Sequence, residues 1–141
     1  MELNPELGQD LILKSFYDWC QNPNRETLVM GILNVTPDSF SDGGLFYNTD
    51  EAVSHALQLI EDGIDIIDIG GESTRPGAEK ISEEEEIQRT IPVVKQIREL
   101  SSEIIISIDT TKPIVAQKAI QYGANIINDI SGFSFDNKMI D

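Results

Sequence analysis

Asn34, Asp68, Asp109 and the pair Asn128-Asp129 each stand at or near the end of a short apolar run, and they carry the oxygen chemistry of this sequence. One such residue is an ordinary turn former. Amide or carboxylate side chains closing successive apolar runs are harder to ascribe to turns alone. Asn and Asp oxygens suit a hard cation such as Mg²⁺, which usually works alongside substrate phosphates. Thr74 and Arg75 add a hydroxyl and a forked donor, the parts of an anion clamp. There is no Cys or His cluster for zinc. The lone His55 falls in the middle of a helical pattern, is expected to be exposed, and gives no support to a Ser-His-Asp triad. The chemistry indicated is binding of a polar heterocycle or a phosphate ester over a carboxylate floor.

Two polar stretches accompany these residues. The first runs from Asn34 through Val35-Thr36-Pro37-Asp38-Ser39-Phe40-Ser41-Asp42 to Gly43-Gly44. A connection of two to six residues would suffice merely to turn the chain; roughly a dozen, rich in hydroxyls and carboxylates, is the composition of a binding loop at a strand mouth. The second is Glu72-Ser73-Thr74-Arg75-Pro76-Gly77.

The elements that must position these residues follow a regular alternation from Thr27 onward. Leu28–Leu33 reads as a buried strand. Thr49 or Asp50 is placed to cap a helix whose Val53, Ala56, Leu57 and Ile60 recur at helical spacing. Gly63 is placed to end that helix in a left-handed turn. Ile64–Ile69 is a second strand. Ser82 with Glu85 predicts a capping box, so that Glu83–Glu86 reads as a solvated helix start. Ile87, Ile91, Val94 and Ile97 supply that helix's buried stripe, with a kink expected at Pro92. Ile104–Ile108 is a third strand, Thr111 a helix cap, Pro113 a first-turn residue, Gly123 a second helix stop and Asn125–Ile130 a fourth strand. The segments Gly63–Asp68 and Gly123–Asn128 form a weak internal repeat. Residues 1–26 stand apart as a helical or linker segment: a helix over Asp10–Cys20 is broken by Asn22-Pro23-Asn24, with Cys20 expected to be a small buried apolar residue.

Near-continuous apolar strands alternating with helices predict an α/β protein with a parallel sheet. An open doubly wound sheet and a (β/α)₈ barrel both fit. The absence of Gly-x-Gly-x-x-Gly after the first strand weighs against the dinucleotide-binding version. A barrel of about 250 residues uses about 31 per unit, so residues 27–141 correspond to the first four β/α units of a truncated (β/α)₈ barrel. The outer strands would then be open edges, and self-association or weakly cooperative unfolding is expected.

The net charge of −15 argues against a nucleic-acid partner or an anionic membrane surface. It leaves room for an anionic small substrate held by local donors. One cysteine excludes an internal disulfide. No apolar run approaches the ~18 residues of a membrane span, the first residues lack a signal layout, and a cytoplasmic location is expected.

The two loops identify a family. Asn34–Gly44 and Asp68-Ile69-Gly70-Gly71-Glu72-Ser73-Thr74-Arg75-Pro76-Gly77-Ala78, with Ser107-Ile108-Asp109-Thr110 and Ile127-Asn128-Asp129 following in order, resemble dihydropteroate synthases of folate biosynthesis from residue 28 to about residue 132. The resemblance implies the barrel fold. It also implies a Mg²⁺-dependent transferase that joins 6-hydroxymethyl-7,8-dihydropterin diphosphate to 4-aminobenzoate with release of pyrophosphate. By that resemblance Asn34 would lie by Mg²⁺ and the diphosphate. Thr74 and Arg75 would sit near diphosphate and aminobenzoate, and Phe40 and Pro76 would flank the aminobenzoate ring. Asp42 would help the first loop close, and Asp109 and Asn128 would hydrogen-bond the pterin. The catalytic set implied is Asp109, Asp42 and Arg75.

The family's second half supplies a further carboxylate, a lysine, an arginine and a histidine that have no counterpart here. The resemblance therefore implies an N-terminal half: a split subunit completed by a C-terminal-half polypeptide or a homo-oligomer, or an inactive truncation. A non-catalytic module like the folate-binding barrels of corrinoid methyltransferases is the other class. Pro37-Asp38-Ser39-Phe40 and Thr74-Arg75-Pro76 favour the synthase.

Overall fold

A computed structural model describes residues 5–36, 49–73 and 79–140, with side chains from residue 12 onward. Four parallel strands, β1 (Met30–Asn34), β2 (Ile66–Gly70), β3 (Ile105–Asp109) and β4 (Ile126–Asn128), lie side by side in chain order. Helix α1 (Pro5–Gln21) precedes them; α2 (Thr49–Glu61), α3 (Glu83–Leu100) and α4 (Pro113–Gln121) run between them. A 3₁₀ turn, Asn137–Met139, follows β4. Among the described residues no helix is long and apolar enough to cross a membrane.

Alternation within the strands divides the sheet into two chemically different faces. One is aliphatic: Leu33, Ile67, Ile69, Ile106 and Ile108 form a single core with Ala52, Val53 and Ala56 of α2, Ile91, Val94 and Ile97 of α3, and Val115 and Ala119 of α4. The other carries Asn34, Asp68, Ser107, Asp109 and Asn128. A doubly wound sheet would reverse its strand order and place helices on both sides. Here the order never reverses and α2, α3 and α4 share one core, which is the wall of a (β/α)₈ barrel.

The strand boundaries differ slightly from expectation. Leu28 and Val29 form a lead-in to β1, where Val29 N–H donates to Asp65 Oδ2 at 2.7 Å. Strand β4 stops at Asn128 because Asp129 turns the chain, its carboxylate accepting from Ser131 N at 2.7 Å and Phe133 N at 3.2 Å. Gly63 (φ 93°) and Gly123 (φ 107°) make the left-handed helix stops. Arg98 was unforeseen. Its guanidinium donates to the carbonyls of Ser101, Ile104 and Gly123 and to Asn125 Oδ1, tying the end of α3 to the starts of β3 and β4.

Helix caps were predicted less well. Ser82 does cap α3, accepting from Glu85 N at 3.2 Å, but the Glu85 carboxylate pairs with Arg89 on the next turn. Thr49 and Asp50 both lie inside the first turn of α2. Lys112, not Thr111, occupies the cap position of α4 and makes no side-chain capping bond; Pro113, lacking an N–H, needs none there. Helix α3 continues through an exposed Pro92. Cys20 is exposed, not buried: α1 instead packs Phe16 on Trp19, and Arg25 covers the Trp19 ring.

Candidate functional site

The C-terminal ends of the four strands bring three sequence-predicted residues into one row. Asn34, Gly70, Asp109 and Asn128 are register partners across β1 to β4. Gly70 leaves the middle of the row open. A Cβ there would lie 3.4 Å from Asp109 Oδ2 and 3.8 Å from Asn34 Oδ1, so the two oxygens flank one niche. One layer deeper, Asp68 and Ser107 are register partners and both are buried. Asp68 Oδ2 accepts from Asn128 Nδ2 at 3.0 Å, a contact reaching across β3 from β2 to β4. Strands two apart are about 9–10 Å from one another in a flat sheet. Side chains that meet from alternate strands are a feature of a barrel interior.

Charge in this site is concentrated and of one sign. Burial, then the charges of Asp68, Glu86, Asp129 and Glu72, push the Asp109 carboxyl from 3.8 up to about 6. Between those values the folded chain keeps a proton that the unfolded chain has released, so this group makes stability fall as pH rises through the window. In urea titrations the stability difference between the native chain and Asp109→Asn should therefore shift against the native chain from about pH 4 to about pH 6. A difference that stays flat across that range would contradict it.

Behind the niche lies a network that sequence reasoning missed. Glu86, expected in a solvated acidic run, is 1% exposed and accepts from Lys112 Nζ at 2.5 Å. Lys112 also donates to Glu72 at 2.7 Å, and the same Glu72 oxygen accepts from Ile81 N at 3.0 Å. Burial opposes the charge of both groups. For Glu72, the Lys112 and Ile81 hydrogen bonds and the charges of Lys112 and Lys80 outweigh it and leave the carboxyl below its ordinary range. For Lys112, bonds to the two glutamates outweigh it and leave the ammonium above its own. Arg89 donates to Gly71 O at 2.8 Å, and Gly71 sits so close to α3 that a Cβ would come within 2.8 Å of Thr90 Cγ2. A signal was present: Glu86, Thr90, Val93 and Ile97 recur at helical spacing and are all buried.

Phe40, Asp42, Thr74, Arg75 and Pro76 lie outside the described residues. The strands that precede those segments, β1 and β2, end in the row that holds Asn34, Asp109 and Asn128. Asn34 is exposed there, Asp109 half-buried and Asn128 exposed. His55 is exposed on α2, away from this row.

The sequence matches the family of pterin binding enzymes over residues 30–141. It is 58% identical over 118 residues to a dihydropteroate synthase of Clostridium beijerinckii, a match covering 84% of this chain and 44% of that protein. Among solved structures, dihydropteroate synthase from Xanthomonas albilineans with 4-aminobenzoic acid superposes with a TM-score of 0.75 at 47% identity, over 80% of this chain and 42% of that one. The Burkholderia cenocepacia enzyme complexed with 7,8-dihydropteroate gives 0.67 at 45% identity, over 79% of this chain and 35% of that one. The chain thus spans less than half the length of the relatives it matches.

Proposed function

The chain belongs to the pterin binding enzyme family, and we propose that it forms the N-terminal half of a dihydropteroate synthase, acting in the cytoplasm together with the remaining β/α units of such a barrel. The observation that carries this reading is the registered row Asn34–Gly70–Asp109–Asn128 at the strand ends. The need for a second half is supported by the face that bears the row. Met30 and Ile32 on β1 are 43% and 65% exposed. Apolar side chains at an unpaired strand edge call for a partner.

In the proposed reaction the bond between the pterin methylene carbon and the diphosphate oxygen breaks, the electron pair leaving with the diphosphate. The amine of 4-aminobenzoate then forms the new C–N bond and gives up a proton. The carboxylate of Asp109 stabilises positive charge on the pterin as it develops. Asn128 holds the pterin ring beside it. Arg75 and Thr74 bind the departing anion, Phe40 and Pro76 flank the aminobenzoate ring, and Asp42 helps the first loop keep water from the cation.

The oxygens that line the niche suit Mg²⁺, a hard cation: Asn34 Oδ1 faces it over Gly70 beside the Asp109 carboxylate, and waters and substrate phosphates would complete the shell. Asn34 would hold it, and the bound ion would offset charge on the diphosphate.

The test is an assay of 7,8-dihydropteroate formation by this chain alone and mixed with the C-terminal half of the Clostridium beijerinckii relative. Activity only in the mixture is the expected result. A mixture that binds pterin but never forms product would favour the non-catalytic module, and turnover by the chain alone would overturn the requirement for a second half.

A further inference from the structure

The contact between Asp68 and Asn128 has a polarity that bears on what the site recognises. An ionised carboxylate only accepts, so the Asn128 amide must turn its Nδ2 toward Asp68 Oδ2, and the bond at 3.0 Å has that sense. The amide carbonyl, on the other side of the same planar group, is then turned away from Asp68, and Asn128 and Asp109 are register partners in the strand-end row. Asp68 itself is 5% exposed, and its second oxygen, Oδ1, has no hydrogen-bond partner among the described residues. The hydroxyl of its register partner Ser107 is likewise buried and unpartnered. Buried polar atoms are rarely left so without a functional reason.

We propose that Asp68 is a positioning residue: by holding Nδ2 of Asn128 it presents Asn128 Oδ1 beside the Asp109 carboxylate, making a paired acceptor for the N–H edge of an aminopyrimidine ring. The ligand part of this rests on the synthase reading above; the amide part does not. The Asp109 oxygens and Asn128 Oδ1 can take two neighbouring N–H donors, whereas a flipped amide would set its own N–H groups against them. Asp68 touches no reacting atom and acts through Asn128.

The experiment compares Asp68→Leu and Asp68→Asn in two measurements. In the isotope-labelled full chain, the Asn128 side-chain amide resonances, assigned by their loss in Asn128→Asp, report the hydrogen bond directly. In the mixture with the C-terminal half, affinities for 6-hydroxymethylpterin and for 4-aminobenzoate report recognition. Asp68→Leu should move the Asn128 amide signals to those of a solvated asparagine. It should weaken the pterin about tenfold or more while leaving 4-aminobenzoate within about twofold. Asp68→Asn keeps an accepting oxygen and should restore both readouts, which also covers the case in which the leucine variant fails to fold. Unchanged amide signals in Asp68→Leu, or equal losses for both ligands, overturn the proposal. If the native mixture binds no pterin, the synthase reading falls with the ligand part, and that outcome is distinct from native binding that Asp68→Leu leaves intact, which sinks this inference alone.

Discussion

Replacing Asp109 by alanine in the complemented assembly should lower dihydropteroate formation by about 10²–10³-fold, the range seen when one preorganised electrostatic group is removed from a transition state. The expectation follows from position and cost. Asp109 ends β3 in the registered row, faces the niche over Gly70, and is half-buried; that burial, with four nearby carboxylates, pushes its pKa up to about 6. The fold charges that group at neutral pH against the cost of burial and of four neighbouring acids. Positive charge developing at the niche turns that arrangement to advantage. Asp109→Asn, which keeps shape and loses charge, should lose nearly as much activity. Its urea midpoint at pH 7 should equal or exceed that of the native chain, because the group it removes is one whose ionisation opposes folding there. Loss of activity with stability kept separates the reaction from the fold. A loss below tenfold, or one matched by a lowered midpoint, would take Asp109 out of the reaction.

The same two properties explain what could be read from residue types alone. Strands β2 and β3 are buried and nearly continuously aliphatic, so they announce themselves without any tertiary information. Asn34, Asp109 and Asn128 stand where those runs stop, and a parallel β/α architecture sends every such stop to one end of the sheet. Asp68 reads from the sequence as the close of its strand, whereas it lies at the centre of β2, one layer below the row, and its partner Asn128 is 60 residues away and two strands over. Glu86 departs from expectation because four consecutive glutamates at a helix start are ordinarily solvated. What buries the last of them is Lys112, 26 residues away, together with the close approach of Gly71 to α3. Arg98 gives no local signal for the same reason: its acceptors are backbone carbonyls, which carry no residue identity, and one side-chain oxygen, Asn125 Oδ1, 27 residues away. Local pattern thus located the site, and the long-range ion pairs that brace it could not be inferred from spacing.

Replacing Lys112 by methionine should destabilise the chain by about 3–5 kcal/mol, the cost of leaving one partner of a buried pair uncompensated. The two glutamates it serves are unequal. Glu72 has 23% of its side chain exposed and can rehydrate, whereas Glu86 has 1% and cannot. Glu86 Oε1 already lacks a partner among the described residues, so Lys112 is what makes its charge tolerable on the α3 face. The methylene stem of lysine is matched in methionine, which keeps the packing and isolates the charge. The effect should be strongly non-additive. Glu86→Leu alone leaves the Lys112–Glu72 pair standing and should cost less than Lys112→Met. Combining the two should recover most of the loss, because the stranded carboxylate is then gone. Chemical denaturation of the four chains gives the coupling directly. Additive losses would mean that the Glu86 charge finds other relief, and that Lys112 stabilises chiefly through Glu72, whose same oxygen accepts from Ile81 N–H ahead of α3.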